Sequence, residues 1–295
     1  MPVDADPFQT PVVGTAPEHG FSQRWRDRRE YRRTPGERID PSEYGIEVLG
    51  DREARRFVTT HHYSGSYPAA RLAVGLMRKA GVAPARLVGV CVFGVPMNQR
   101  SVPRYLGLEP NDGVELSRLV LLDEVLHSGE SWFVARALSR LRTEKPGVAG
   151  VISYADPTER RDAGGNVFKC SHWGYIYQAL NFGYAGTATR RTLLMTRGGQ
   201  VVSERALSKI RNEERGFEYA CRQLAAFGAP ERAFGEEPRA WVDRVLASDA
   251  FTRVRHPGNH IYLLGLDRKV RRHVDGISGR GRDVYPKADR LPEAA

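Results

Sequence analysis

Cysteine is scarce in this chain of 295 residues: Cys91, Cys170 and Cys221 are far apart, odd in number and in no C-x-x-C pair. That excludes a disulfide framework, argues against a zinc cluster and points to a reducing compartment. No run approaches the ~18 apolar residues that a membrane span needs, and the N-terminus carries no apolar signal region. The expectation is a cytoplasmic protein with no membrane partner. No internal repeat and no H-x-x-x-H or local two-histidine, one-carboxylate spacing is visible, so the metal signal is weak. Acidic charge is also in deficit, 35 Asp and Glu against 45 Lys and Arg, which leaves a formal charge of +10.

What is present follows from that imbalance. The basic excess is mostly arginine, and polyanions bind such chains through counterion release. A planar guanidinium fork suits phosphates and guanine edges better than a lysine point charge does, so nucleic acid ranks ahead of an anionic membrane as partner. With 41% hydrophobic and 9% aromatic residues the chain can bury a proper core, as one large domain or two small ones. Residues 1–43 are poor in apolar periodicity, and Arg24, Arg26, Arg28, Arg29, Arg32 and Arg33 crowd one stretch; this reads as a basic, flexible arm.

Regular patterning starts at Ile46. A helix is expected from Asp51 through Ala54, Phe57 and Val58, ending near the polar segment 59–66. Residues 86–94 and 114–121 read as buried strands. Ser128 or Ser131 caps a helix with Trp132, Phe133, Ala135, Leu138 and Leu141 on its apolar face, and residues 150–154 form a third strand. Strand, loop, helix, strand is a crossover unit, so part of the sheet is parallel, and ligands in such sheets bind past the carboxyl ends of the strands. Arg118, Tyr154 and Asp156 lie there. Further on, 174–180 is an apolar aromatic run and 192–195 a short strand. A basic helix is expected from Glu204 through Leu224, residues 239–246 are amphipathic, and 253–262 is basic and turn-rich. The divisions expected are the arm, a catalytic domain over 44–228, and a basic C-terminal extension over 229–295, packed on that domain or continuous with it.

Several side chains in this frame carry chemistry. Glu115, Ser117 and Arg118 interrupt an apolar strand, and burying such groups without partners costs several kcal/mol. They have partners or a job; a structural Arg118–Asp156 ion pair is one reading. Asp156-Pro157 is also ordinary turn chemistry. His61-His62-Tyr63 sets imidazoles beside a phenol, suited to proton transfer, to iron coordination, or merely to packing. Trp173, Tyr175, Tyr177, Phe182 and Tyr184 could stack an extruded base, or form a core strand. Between the second and third strands a helix start could bind a pyrophosphate, but Asp123, Glu124 and Glu130 oppose a second anion.

Taken in order, residues 62–65, 114–121, 131–133, 153–157, 172–179, 207–210 and 256–260 resemble the Mom family of phage DNA modification proteins. The resemblance covers most of residues 57–287, and its specificity lies in the order and spacing of the pieces. It implies a GNAT-like α/β fold, with a mixed, partly parallel sheet flanked by helices. It implies conversion of adenine in double-stranded DNA to an N6-carbamoylmethyl (acetamido) derivative that shields phage DNA from restriction in the host cytoplasm. It implies a polar cluster at His62, Tyr63, Arg118, Asp156 and Tyr177. The expected catalytic groups are Tyr63, Arg118, Asp156 and Tyr177, and the substrate-binding groups are His62, Ser117, Tyr154, His172, Tyr175 and Asn181. DNA is expected at Lys209, Arg211, Arg253, Arg255, His256 and Arg271. The fold suggests acetyl-CoA or a related acyl donor, and the family analogy suggests iron at His62 and Tyr63. Two departures stand out: residues 158–170 exceed the compact family connection, and no R-x-x-G-x-G loop follows the second strand. The competing readings are an acyl-CoA N-acetyltransferase acting on a protein or small amine, and a non-catalytic DNA-binding protein.

Overall fold

Apolar, β-branched runs build the centre of the chain and place its polar exceptions at strand ends. The computed structural model describes residues 21–26, 29–32, 38–126, 128–165, 167–169, 171–281 and 283–287. Within the basic N-terminal segment, β1 (Phe21–Arg26) and β2 (Arg29–Arg32) pair antiparallel; the rest of the expected arm lies mostly outside the described residues. Next come β3 (Tyr44–Val48) and α1 (Asp51–His61), which buries Ala54, Phe57 and Val58. Gly50 rather than Asp51 is its N-cap, and Asp51 and Glu53 sit in the first turn, where the helix dipole favours acids.

A long hairpin follows, β4 (Ala70–Ala80) with β5 (Ala83–Gly94). After α2 (Ser101–Leu106), the crossover unit reads β6 (Gly113–Leu121), α3 (Gly129–Glu144) and β7 (Gly150–Ala155). The residues after it form a small hairpin, β8 (Arg160–Arg161) with β9 (Val167–Lys169). The aromatic run is helical, α4 (Tyr175–Ala179), not a core strand, and β10 (Gly183–Thr187) and β11 (Arg191–Thr196) follow it. The single helix expected from Glu204 is two, α5 (Glu204–Arg211) and α6 (Phe217–Ala226), because Glu213 and Gly216 take positive φ angles of 49° and 85° between them. The chain then runs through α7 (Pro238–Ala247), β12 (Phe251–His256), β13 (His260–Gly265) and α8 (Arg268–Ile277). The segment read as turn-rich is thus mostly strand.

The main sheet has seven strands in the order β10-β13-β7-β6-β5-β4-β3, and β6 and β7 are its one parallel pair. Their pairing covers Gly113–Glu115 against Gly150–Ile152 and stops there, although β6 continues to Leu121 and β7 to Ala155. The helices cover both faces. α2 and α8 pack against Ile152, Ile261 and Leu263, while Tyr177 of α4 meets Tyr262 from the Ser153 face. β11 and β12 pair apart from the main sheet and share a second core with α5, α6 and α7, centred on Trp241, Leu224 and Ile210. Residues beyond 228 therefore supply a strand inside the main sheet as well as this second core.

Candidate functional site

Where β6 and β7 stop pairing, four separate stretches of chain bring polar groups together. The first is the loop after α1. His62 Nδ1 lies 2.8 Å from Ser64 Oγ and accepts the Ser64 N–H at 3.1 Å. Ser66 Oγ donates to Ser64 Oγ at 3.1 Å and accepts from Arg118 Nη2 at 2.9 Å. Arg118 also donates through Nε to Ser66 O (3.2 Å) and through Nη1 to Ser117 O (2.7 Å). The arginine thus pins the His62–Tyr63 loop to β6 and has N–H groups left over.

Strand register explains how Arg118 comes to face this loop. Phe93 pairs with Leu116 and Val92 with Arg118, so Ser117 is the extra residue of a β-bulge. Adjacent residues of β5 point to opposite faces and cross-strand partners share one. The bulge therefore turns Arg118 away from the face of Leu116, where a regular strand would have kept it.

Asp156, just past β7, is the hub of the second stretch. His256 Nε2 donates to its Oδ1 at 2.9 Å and the Thr158 N–H donates to the same oxygen at 3.0 Å. Arg160 pairs with Oδ2, and Lys169 Nζ lies 3.5 Å from it. Burial works to raise the carboxyl's pKa, but the hydrogen bond from His256 and the charges of Lys169 and Arg160 outweigh it and hold Asp156 well below the usual carboxylate range. The Arg118–Asp156 pair is not formed. Asp156, expected to take a proton or hydrogen bond from substrate, has its lone pairs already filled by protein donors. Lys169, only 2% exposed, also donates to the carbonyls of Asp156 and Thr158, so the long 158–170 connection exists to bring a buried cation to the hub.

The histidines are held in one tautomer. Gly174 N–H donates to His172 Nδ1 at 2.9 Å, and Gly258 N–H donates to His256 Nδ1 at 3.0 Å. An amide only donates, so Nδ1 carries the lone pair in each, as in His62, and the proton sits on Nε2. Burial pushes His62 down to about 3, helped by Arg118 and His172, and pushes His172 down to about 4, helped by Lys169. Both are neutral N–H donors at physiological pH. Gly258 takes a φ of +106°, and a Cβ there would lie 1.9 Å from the Ala188 carbonyl oxygen. Gly258→Ala is therefore expected to lower stability by about 2–3 kcal/mol or more in urea unfolding, since both backbone strain and the His256 turn are at stake.

Tyr63 is half-buried, with its ring 4.3 Å from that of His62. Burial raises its pKa, and Arg160, Asp156 and Arg118 all act on it, which places it centrally. Tyr177 is buried, its ring stacked 5.7 Å from His172 and packed on Phe182 and Tyr262. Burial pushes its phenol far up, against a lowering contribution from Ser153, whose wholly buried hydroxyl has no hydrogen bond of ordinary geometry. Glu115 is half-buried and raised to about 7, chiefly by burial, with Arg118 and the Met97 amide opposing.

The structure thus gathers His62, Tyr63, Arg118, Asp156, His172 and Tyr177, with Ser117 as the bulge beneath them. Tyr154 lies beside Glu115, with its hydroxyl donating to Ser101 Oγ at 3.1 Å. Tyr175 and Asn181 are not brought in. Tyr175 is exposed under the Lys287 ammonium, and Asn181 is an exposed turn residue with φ 57°. Trp173, Tyr177 and Phe182 are core, so no open aromatic run waits for a base. His256, expected at a DNA surface, is 2% exposed and belongs to the Asp156 hub. Sequence reasoning missed Arg160, Lys169 and the role of His256; the repeated His-x-Gly at 172–174 and 256–258 was the available signal.

Iron at His62 and Tyr63 does not fit. His62 Nδ1 is engaged and Nε2 carries a proton, and among the described residues no three His, Cys, Asp or Glu side chains are grouped to hold a metal ion. A pyrophosphate-bearing acyl donor such as acetyl-CoA would rest on the loop before α3, and that loop does not fit either. The Val125 and Gly129 amides are spent on the Leu122 and Leu126 carbonyls, at 3.0 and 3.1 Å. Glu124 is tied to Arg78 and Arg86, and Asp123 and Glu130 add further acid.

Neutral N–H donors, a bulge-directed arginine and two phenols thus gather where the parallel strands of a mixed α/β sheet part, the place at which sheets of this kind bind ligands. The chain belongs to the Mom protein family, whose sequence profile matches residues 43–275. It is 31% identical over 147 residues to the methylcarbamoylase mom of Escherichia phage Mu, an alignment covering 49% of this chain and 54% of that protein. The chain spans about half the length of that curated relative. No helix among the described residues is long and apolar enough to cross a membrane.

Proposed function

We propose that this protein is a GNAT-like DNA-modifying transferase that replaces one N6 proton of adenine with a carbamoylmethyl group, protecting phage DNA from restriction in the host cytoplasm. The observation that carries this reading is convergence. His62, Tyr63, Arg118, Asp156, His172 and Tyr177 come from separate stretches of the family-matched span and meet at one site. The mixed sheet with a crossover helix and a parting parallel pair supports the GNAT-like assignment.

An exocyclic amine is out of reach inside the duplex, so the adenine is extruded. The His62–Tyr63 ledge, rather than Tyr175 or Tyr177, is the surface on which it stacks. Arg118 and the Nε2–H groups of His62 and His172 hold the carbonyl oxygen of the small-molecule donor. An acetyl thioester would react through its carbonyl carbon and lacks the amide nitrogen, so the donor carries the carbamoylmethyl unit whole, on a leaving group. The test is to express the chain in a host and analyse digested DNA by mass spectrometry. A carbamoylmethyl adenine nucleoside is expected, and unmodified adenine throughout overturns the reading.

DNA reaches the site along β12. His256 anchors the strand to Asp156, and Arg255 and Arg253 project from it, exposed, within about 10 Å along the strand. Lys209 and Arg211 on α5 and Arg271 on α8 contribute further positive charge, although Arg211 already approaches Asp243 at 3.5 Å. Replacing Arg253 and Arg255 together with alanine should reduce the salt slope of duplex binding by about two, read from filter binding across a salt series.

A further inference from the structure

A proton must leave the adenine amine when its nitrogen bonds to carbon, and most groups in the cluster are unable to take it. The Asp156 oxygens are filled by His256, Thr158, Arg160 and Lys169. The basic nitrogens of His62, His172 and His256 are each occupied by a backbone amide. His260 is 5% exposed, with Nδ1 beside the Tyr184 and Thr187 hydroxyls and Nε2 shut away from solvent. Tyr63 and Tyr177 are kept as phenols by burial.

Glu115 differs from all of these. It is half-buried, and among the described residues no cation lies within ion-pair distance of its carboxylate. It stands on the last parallel rung, opposite Ile152, where β6 and β7 stop pairing. Register also decides which way it points. Glu115 pairs with Gly94 and Arg118 with Val92, and Gly94 and Val92 share a face. The bulge at Ser117 therefore puts Glu115 on the same face as Arg118, where a regular strand would oppose residues three apart. Tyr154, two residues beyond Ile152, shares that face too.

We propose that the Glu115 carboxylate is the group that accepts the N6 proton, an assignment that rests on the adenine-modifying reading above. The amine lone pair forms the bond to the donor's methylene carbon, and the leaving group departs with the electron pair of its own bond to that carbon. The N6 proton passes to a Glu115 oxygen, and the pair of the broken N–H bond returns to nitrogen. The groups acting on Glu115 are Arg118 from its own strand and the Met97 amide before α2, with Tyr154 of β7 and Tyr177 of α4 close by.

The test compares the intact chain with Glu115→Gln in the same host, with mass spectrometry of digested DNA and a thermal unfolding curve of each protein. A folded Glu115→Gln should make at least about 100-fold less modified adenine, the loss expected when a positioned acid–base group is removed. A folded variant that modifies at the parent level overturns the Glu115 assignment while the adenine reading stands. An intact chain that leaves adenine unmodified removes both. Should Glu115→Gln fail to fold, the pH profile of the parent in permeabilised host cells decides. Modification should fall away as pH drops below about 7, where Glu115 takes up its proton, and a flat profile from about pH 5.5 to 8.5 overturns the assignment.

Discussion

Asp156→Asn should be the most damaging single change to the fold, lowering stability by about 3–5 kcal/mol, the range for removing one partner of a buried ion pair. The reason is Lys169. At 2% exposure it cannot return its charge to water, and the bonds it makes to the carbonyls of Asp156 and Thr158 do not replace the lost negative charge. Arg160 loses its ion-pair partner in the same step, while the amide oxygen that remains can still accept from His256. In a chain of this size the change corresponds to roughly 10 °C in melting temperature.

The same hub shapes acid unfolding. A carboxyl held below its usual range contributes stability that is intact above its unfolded pKa, near 3.8, and is lost as pH falls below that. His62 and His172, lowered to about 3 and about 4, act earlier. The unfolded chain protonates them near 6.5 while the native state resists, so their contribution is intact above that pH and declines toward their native values. Glu115, raised to about 7, acts in the opposite sense and favours the fold when protonated. A decline starting near pH 6.5 and steepening below about 4 is expected. In Asp156→Asn the steep part should vanish, which urea titrations at stepped pH will show.

Arg118→Ala should abolish function without comparable damage to the fold. Among the described residues the arginine bonds only to Ser66 and Ser117 oxygens and is in ion-pair contact with no carboxylate, although its charge acts on Glu115. What is lost is the free part of its fork and the tether on the His62–Tyr63 loop. Losing the group that holds the donor's amide oxygen, and with it the alignment of the methylene carbon for attack, should cost about 10²-fold in rate, and modified adenine should fall accordingly. Arg118→Lys is the informative companion. It keeps the charge but cannot serve Ser66 and Ser117 together while offering a planar fork to the donor, so it should recover only a small part of the activity. Parent-level modification by Arg118→Ala would remove the arginine from the mechanism.

Much of this arrangement was legible in the residues, and the failures have physical causes. β5, β6 and β7 announce themselves as apolar, β-branched runs, and the helix between two of them dictates the parallel pair. β4 does not, because Gly75, Arg78 and Lys79 dilute its pattern and its strand character comes from pairing with β5. Arg118, Tyr63 and Tyr177 stood out as polar interruptions or by family resemblance, and they do converge. The Asp156 hub was hidden because its partners lie far along the chain: His256 is a hundred positions away, and Lys169 lies in a connection that looked like a mere insertion. Neither distance carries a local signal. Nor does the bulge at Ser117, which depends on how β5 and β6 align and is invisible in either strand alone.

The place of β13 has a consequence for how the protein comes into being on the ribosome. This strand is the last of the sheet to be synthesised, yet it lies between β7 and β10, which are made long before. Until it emerges, the outer edge of β7 has no neighbour. The nascent chain must hold an open sheet edge through the synthesis of the entire second core, a state prone to mispairing. The Asp156 cluster is therefore framed only once β13 has been made, and a chain stopped short of residue 265 would have the β6–β7 groups without the strand that lies beside β7.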